Sequence, residues 1–274
     1  MTHRLCLGAG ALAFGGYVYQ LRVTFLELQA DAACERRLPA SVPTAQATPV
    51  VRLPRLLSDA EIEQVEALHR SSRGRLGTSG RDADQGSAAY RSGAWETSYL
   101  HTGGAFARAL PQLRAKLLAA AARVDEEQGW GLISEAGSAA RPRCVEYHRV
   151  GPRGALPFVR HHDAGSLVTL DVMLADPRRG EFEGGAFQTF EANGALRTYP
   201  EFARGDALVF VSHKPHCVAP VTRGERRVLV MELWEGEERA CAHRCDRHWG
   251  ECRHSAAASF WQRAVLEGWS GDDL

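Results

Sequence analysis

The stretch from Gly205 to Trp234, GDALVFVSHKPHCVAPVTRGERRVLVMELW, restricts the fold more than any other part of the chain. Ala207 to Val211 is an apolar run bounded by Gly205 and His213, and Arg227 to Leu233 is a second one, rich in branched residues. Runs of this length between turn residues read as buried strands. Pro220 and Gly224 shape the return between them. His216 and Arg226 flank that return, so an imidazole and a guanidinium can be carried on neighbouring strands and aimed into one cavity. Such a pair suits a metal ligand beside an anion clamp, provided that a second half of the site lies upstream. His161-His162-Asp163 offers the residue types for that half.

Upstream of the strands the pattern is helical. Ser58-Asp59-Ala60-Glu61 has the form of a capping box, and Ile62, Val65 and Leu68 follow at helical spacing. His69, in the last turn, reads as a surface or helix-end histidine. Ser71 to Ser98, rich in Gly, Ser, Arg and Asp, reads as a long loop. Its Arg91-Ser92-Gly93-Ala94-Trp95 segment is either anchored to the surface by one Trp or faces a substrate. Ala105 to Gln128 reads as a helix with a buried stripe of Leu110, Leu113, Leu117, Leu118 and Val124, split at Pro111.

From Arg141 the period falls to two. Cys144 to His148 alternates, with Val145 and Tyr147 on one face. Gly151 to Pro157 is a turn-rich insertion, and Leu167 to Leu174 and Ala186 to Phe190 are further short strands. Helices followed by many short strands predict an α+β, mainly β chain: an antiparallel sandwich or barrel behind a helical layer. There is no internal repeat.

Charge excludes one function class. Lys plus Arg and Asp plus Glu both number 33, so no net basic field draws nucleic acid. The 274 residues are enough for one full catalytic core, here placed at residues 55–238. Residues 27–54, with Pro43, Pro49 and Pro54, read as a linker or extended lead-in. Before it, residues 5–19 form an apolar run after His3 and Arg4, shorter than the about 20 residues that span a bilayer. Leu21 and Val23 to Leu26 extend it past Arg22. One reading of residues 1–26 is a signal peptide or membrane anchor, which sends the chain to the endoplasmic reticulum or secretory pathway. The other is a glycine-rich segment of a cytoplasmic protein.

His161 and Asp163 are two apart, so in an extended segment both leave one face while His162 leaves the other. With His216 they make two imidazoles and a carboxylate, a set that holds Fe(II) on one face and leaves positions open. His213 reads as a loop histidine, and neither Asp171 nor His148 has a partner that the sequence names.

Four motifs between Tyr147 and Trp234 resemble those of the Fe(II)- and 2-oxoglutarate-dependent dioxygenases, in their prolyl 4-hydroxylase-like branch. His161-His162-Asp163 resembles the His-x-Asp motif, and Phe182-Glu183-Gly184-Gly185 with Phe187 the aromatic-Glu-Gly-Gly turn. Gly205-Asp206-Ala207 resembles the Gly-Asp-Ala strand, and His216, Val218, Pro220, Val221, Gly224 and Arg226 the distal segment. The resemblance implies a double-stranded β-helix, or jelly roll, that encloses the metal. It implies His161, Asp163 and His216 as iron ligands and Arg226 as the partner of the far carboxylate of 2-oxoglutarate. It also implies that Tyr147 and Thr169 help to hold that cosubstrate. The alternatives are a core tyrosine, suggested by the insertion at Gly151 to Pro157, and an ordinary strand threonine. The cofactors implied are Fe(II), 2-oxoglutarate, O2 and ascorbate. The implied reaction hydroxylates an unactivated C–H bond, with peptidyl proline in a proline-rich peptide or protein as the first substrate. The alternatives are another side chain, a small molecule, or an inactive binding module.

Residues 239–274 form a separate Cys/His-rich segment. Cys241, His243, Cys245, His248, Cys252 and His254 crowd together, and three outcomes stand: disulfides, zinc, or free thiols. With Cys6 set aside in the apolar leader, the even number of cysteines left favours disulfides in an oxidising compartment.

Overall fold

A computed structural model describes residues 44–80, 94–133, 140–250 and 252. The apolar leader, Arg91 to Gly93 and His254 lie outside the described residues. Among those described, no helix is long and apolar enough to cross a membrane. The helices are α1 (Asp59–Ser71), α2 (Ala105–Ala109) and α3 (Pro111–Glu127). The strands are β1 (Val51–Leu53), β2 (Gly77–Gly80), β3 (Trp95–Tyr99), β4 (Arg141–Val150), β5 (Leu156–His161), β6 (Val168–Met173) and β7 (Phe182–Gly184). They continue as β8 (Phe187–Phe190), β9 (Leu196–Thr198), β10 (Ala207–Val211), β11 (His216–Val218), β12 (Val221–Gly224) and β13 (Arg226–Trp234).

A seven-stranded antiparallel sheet runs β1-β10-β6-β13-β4-β3-β2, facing a four-stranded one in the order β5-β11-β8-β9, with β12 and β7 paired beside them. Side-chain parity explains the layering. From the large sheet, Val145, Leu170, Val209, Leu229 and Met231 meet Ile62, Val65, Leu117 and Val124 of α1 and α3 in one core. Their neighbours Met173, Leu208, Phe210 and Val228 turn the other way and pack with Phe182, Phe187 and Val218 in a second core between the sheets. The central strands are therefore covered on both faces, which is why they read as apolar runs without alternation.

The capping box forms at α1: the Ser58 hydroxyl accepts from the Glu61 N–H, and Glu61 accepts in return from the Ser58 N–H at 2.8 Å. Lys116 of α3 reaches the same Glu61 carboxylate at 2.7 Å and ties the helices together. The expected split at Pro111 is present, with Leu110 in a non-helical conformation.

Three expectations change. The long loop from Ser71 to Ser98 contains β2 and β3, which extend the large sheet beyond β4. β2 is Gly, Thr and Ser throughout and β3 is Trp-Glu-Thr-Ser-Tyr, so neither presents an apolar run. Within the lead-in of residues 27–54, residues 51–53 form β1 and pair with β10 at the other edge. His69 is buried, 3.1 Å from the Ser98 hydroxyl, rather than on the surface.

Candidate metal and diacid site

His161 ends β5 and His216 begins β11, and the two are cross-strand partners. Pairing sets their rings edge to face at 5.0 Å. Just past β5 the Asp163 N–H donates to the Ser212 carbonyl at 2.8 Å, which turns the Asp163 carboxylate in beneath the imidazoles. Its Oδ1 lies 3.4 Å from His161 Nε2 and 3.9 Å from His216 Nε2. One ligand atom from each of the three residues lies within 4.8 Å of the others, as a shared cation requires.

Supporting contacts fix His216. His216 Nδ1 donates to the Lys214 carbonyl at 3.0 Å, which leaves the Nε2 lone pair for the cavity. Phe187 stacks on the same ring, and Phe210 meets it edge-on at 5.1 Å. Lys214, fully buried, donates to the Thr48 carbonyl and to Glu191, which holds the turn ahead of His216. Burial opposes a charge on Asp163, yet His216 and His161 beside it hold its carboxyl well below the usual range.

Arg226 opens β13 and points into the same cavity, with 2% of its surface exposed. Its Nε and Nη2 have no hydrogen-bond partner. Burial lowers its pKa to about 10, against the pull of Asp171. Gly185 of the Phe182–Gly185 turn makes room for it, and Gly184 lets the turn pass close to Pro220. A Cβ on Gly184, at φ +74°, would stand 2.3 Å from the Pro220 carbonyl, and one on Gly185, at φ +63°, 2.9 Å from Arg226 Cδ.

Tyr147 and Thr169, which the resemblance assigns to the cosubstrate, make different contacts. Tyr147 belongs to the helix-facing core, where its hydroxyl donates to Glu66 Oε2 at 2.7 Å and its ring stacks on His69 at 4.1 Å. Parity carries it away from the cavity, and its neighbours Glu146 and His148 line the cavity instead. Thr169 does lie on the cavity side, but its hydroxyl donates to Asp163 Oδ2 at 2.8 Å and pairs with the Ser212 hydroxyl. That contact orients the carboxylate.

Several cavity residues have partners that the sequence does not name, and Trp95 faces the cavity. Trp95 Nε1 donates to His148 Nδ1 at 3.1 Å, so His148 Nε2 carries the proton that it donates to Glu146 at 2.7 Å. Asp171 is raised to about 7 by burial, with Arg226 opposing the shift and Asp163 adding to it. Glu232 is held by Arg244 at 2.8 Å and by the Ser166 hydroxyl at 2.5 Å. The signal was present: Glu146, Asp171 and Glu232 are lone acids within apolar strands.

Two facing antiparallel sheets around a His/Asp/His donor set and a buried guanidinium define the fold class. It is the double-stranded β-helix of the Fe(II)- and 2-oxoglutarate-dependent oxygenases. The chain carries motifs that resemble those of the prolyl 4-hydroxylase-like branch of these oxygenases. It is 43% identical over 63 residues, 23% of its length, to a PKHD-type hydroxylase of Sphingopyxis alaskensis, and spans about a quarter (27%) of that relative. No family model matches the chain. A solved oxidoreductase of the 2OG-Fe(II) oxygenase family from Burkholderia pseudomallei superposes with a TM-score of 0.50 at 16% identity, covering 78% of this chain and 94% of that one. A Pseudomonas putida prolyl-4-hydroxylase gives a TM-score of 0.49 at 20% identity, covering 68% and 92%.

Proposed function

We propose that this protein is an Fe(II)- and 2-oxoglutarate-dependent dioxygenase that hydroxylates peptidyl proline at C4. One observation carries the reading: the Arg226 guanidinium is buried with two donor nitrogens unpartnered, in the cavity that gathers the three metal-type donors. Buried cationic donors left without hydrogen-bond partners are costly, so the cavity favours an anionic ligand. A carboxylate presents two coplanar oxygens, the complement of a guanidinium fork. A diacid can meet Arg226 at one end and the metal at the other, and 2-oxoglutarate is such a diacid.

The donor set of His161, Asp163 and His216 fits Fe(II), which two imidazoles and one carboxylate would hold while leaving positions for other ligands. When bound, the ferrous ion supplies oxygen activation coupled to decarboxylation of 2-oxoglutarate to succinate and CO2, with ascorbate as the reductant that keeps it ferrous. His161 and His216 would turn their Nε2 atoms to the ion, and Thr169 keeps Asp163 Oδ1 turned inward. Arg226 orients the cosubstrate. Apolar side chains from Leu156, Phe187, Val218 and Val228 line the same cavity and keep water from the reacting centre.

Peptidyl proline is supported by the motifs shared with prolyl 4-hydroxylase-like proteins and by the stretch shared with a PKHD-type hydroxylase. A panel of proline-containing peptides incubated with the full chain, Fe(II), 2-oxoglutarate and ascorbate tests it. The expected product is heavier by one oxygen atom, in a reaction that needs 2-oxoglutarate and releases succinate. Succinate released without any modified peptide would move the substrate elsewhere, and no succinate at all would contradict the dioxygenase reading.

A further inference from the structure

Beyond β13 the described chain has neither helix nor strand from 239 to 250, yet it is held in place. Core side chains grip its carbonyls: Arg143 donates to Cys245 O at 2.6 Å and His101 to His243 O at 3.2 Å. The Gly103 N–H donates to Ala240 O at 2.8 Å, and Arg239 to Gly250 O at 2.8 Å. His248 takes no part in the cysteine cluster and stacks on Trp234 at 4.5 Å.

The segment alternates. Ala242 sits against β2, where a Cβ on Gly77 would lie 2.0 Å from its carbonyl oxygen. Arg244 reaches Glu232 and, at 3.0 Å, the carbonyl of Ala164, the residue after Asp163. Cys241, His243 and Cys245 take the other side. There Cys252 returns to meet them, with its Sγ 3.4 Å from His243 Nε2. One donor atom from each of the four lies within 4.8 Å of the others. Metal–sulfur bonds of about 2.3 Å in a tetrahedron put the ligand atoms about 3.8 Å apart. The three cysteines are free thiols, and Cys245 is fully buried.

We propose that Cys241, His243, Cys245 and Cys252 form a structural zinc site, of the closed Cys3His type, which pins the C-terminal segment to the sheet. Four soft donors converge on one point, whereas a disulfide needs two and leaves a third thiol and an imidazole without purpose. Zinc replaces the absent ladder as the bond that fixes this segment. The cluster also anchors Arg244, and through it the backbone beside Asp163.

The full chain, purified without chelators, tests this by metal stoichiometry and by cobalt exchange. One zinc per chain is expected. It should persist in a His161→Ala/His216→Ala variant and be lost in Cys241→Ser and Cys252→Ser. Cobalt substituted into the wild-type protein should give the thiolate-to-metal charge-transfer band and visible bands of a tetrahedral site. That readout decides even if the cysteine variants fail to fold. Zinc that disappears with His161 and His216 would overturn the proposal, as would three freely reactive thiols in metal-free folded protein, or a Cys241–Cys252 disulfide seen by intact mass.

Discussion

Asp163 has two carboxylate oxygens with separate tasks: Oδ1 faces the two imidazoles, and Oδ2 accepts from Thr169. Removing that hydroxyl leaves the donor set intact but lets the carboxylate rotate. Thr169→Val should therefore weaken binding of Co(II), followed by equilibrium dialysis, by about 10–100-fold, and Thr169→Ser should restore it. Arg226 and Asp171 form the other sensitive pair. Asp171 titrates at about 7 in the folded protein, raised by burial, so it is largely neutral below that pH and ionised above it. An ionised Asp171 competes for the guanidinium and repels a diacid, so diacid binding favours the protonated form. The dissociation constant for 2-oxoglutarate, measured by calorimetry, should rise as pH increases through about 7, and Asp171→Asn should flatten that rise. Arg226→Ala should weaken 2-oxoglutarate by about 2–5 kcal/mol, with Lys restoring only part of it because the fork is lost.

At the scale of a strand, parity decides which residue reaches the cavity. β4 sends Tyr147 to Glu66 and His69, and Glu146 and His148 to the cavity. Tyr147→Phe should thus lower stability by about 0.5–1.5 kcal/mol in urea unfolding and leave 2-oxoglutarate affinity unchanged. A large loss of affinity would return Tyr147 to the site. Much of the architecture is legible in the sequence because the buried strands are bounded by Gly and Pro, and α1 is announced by its capping box. The donors and Arg226 are legible because they sit within spaced motifs. The partner of Thr169 is not, because its contact with Asp163 depends on where β6 lies relative to the turn after β5. β2 and β3 are not, because neither presents an apolar run, and only pairing, of β3 with β4 and of β2 with β3, makes them strands.

Over the whole molecule, the large sheet is a wall shared by two cores, one against the helices and one against the small sheet. The cavity opens within the second core, so its charged groups are held by strands that cannot shift without disturbing both layers. The C-terminal segment adds a brace from outside, through Arg244 to Glu232 and Ala164. The central claim is that His161, Asp163 and His216 share one metal ion while Arg226 receives the far carboxylate of a diacid. A crystal structure grown with Mn(II) and 2-oxoglutarate under anaerobic conditions tests this most directly. The account predicts anomalous density among the three side chains and a carboxylate paired with both free nitrogens of Arg226. An empty donor set, or an Arg226 closed onto Asp171 with the diacid bound elsewhere, would contradict it.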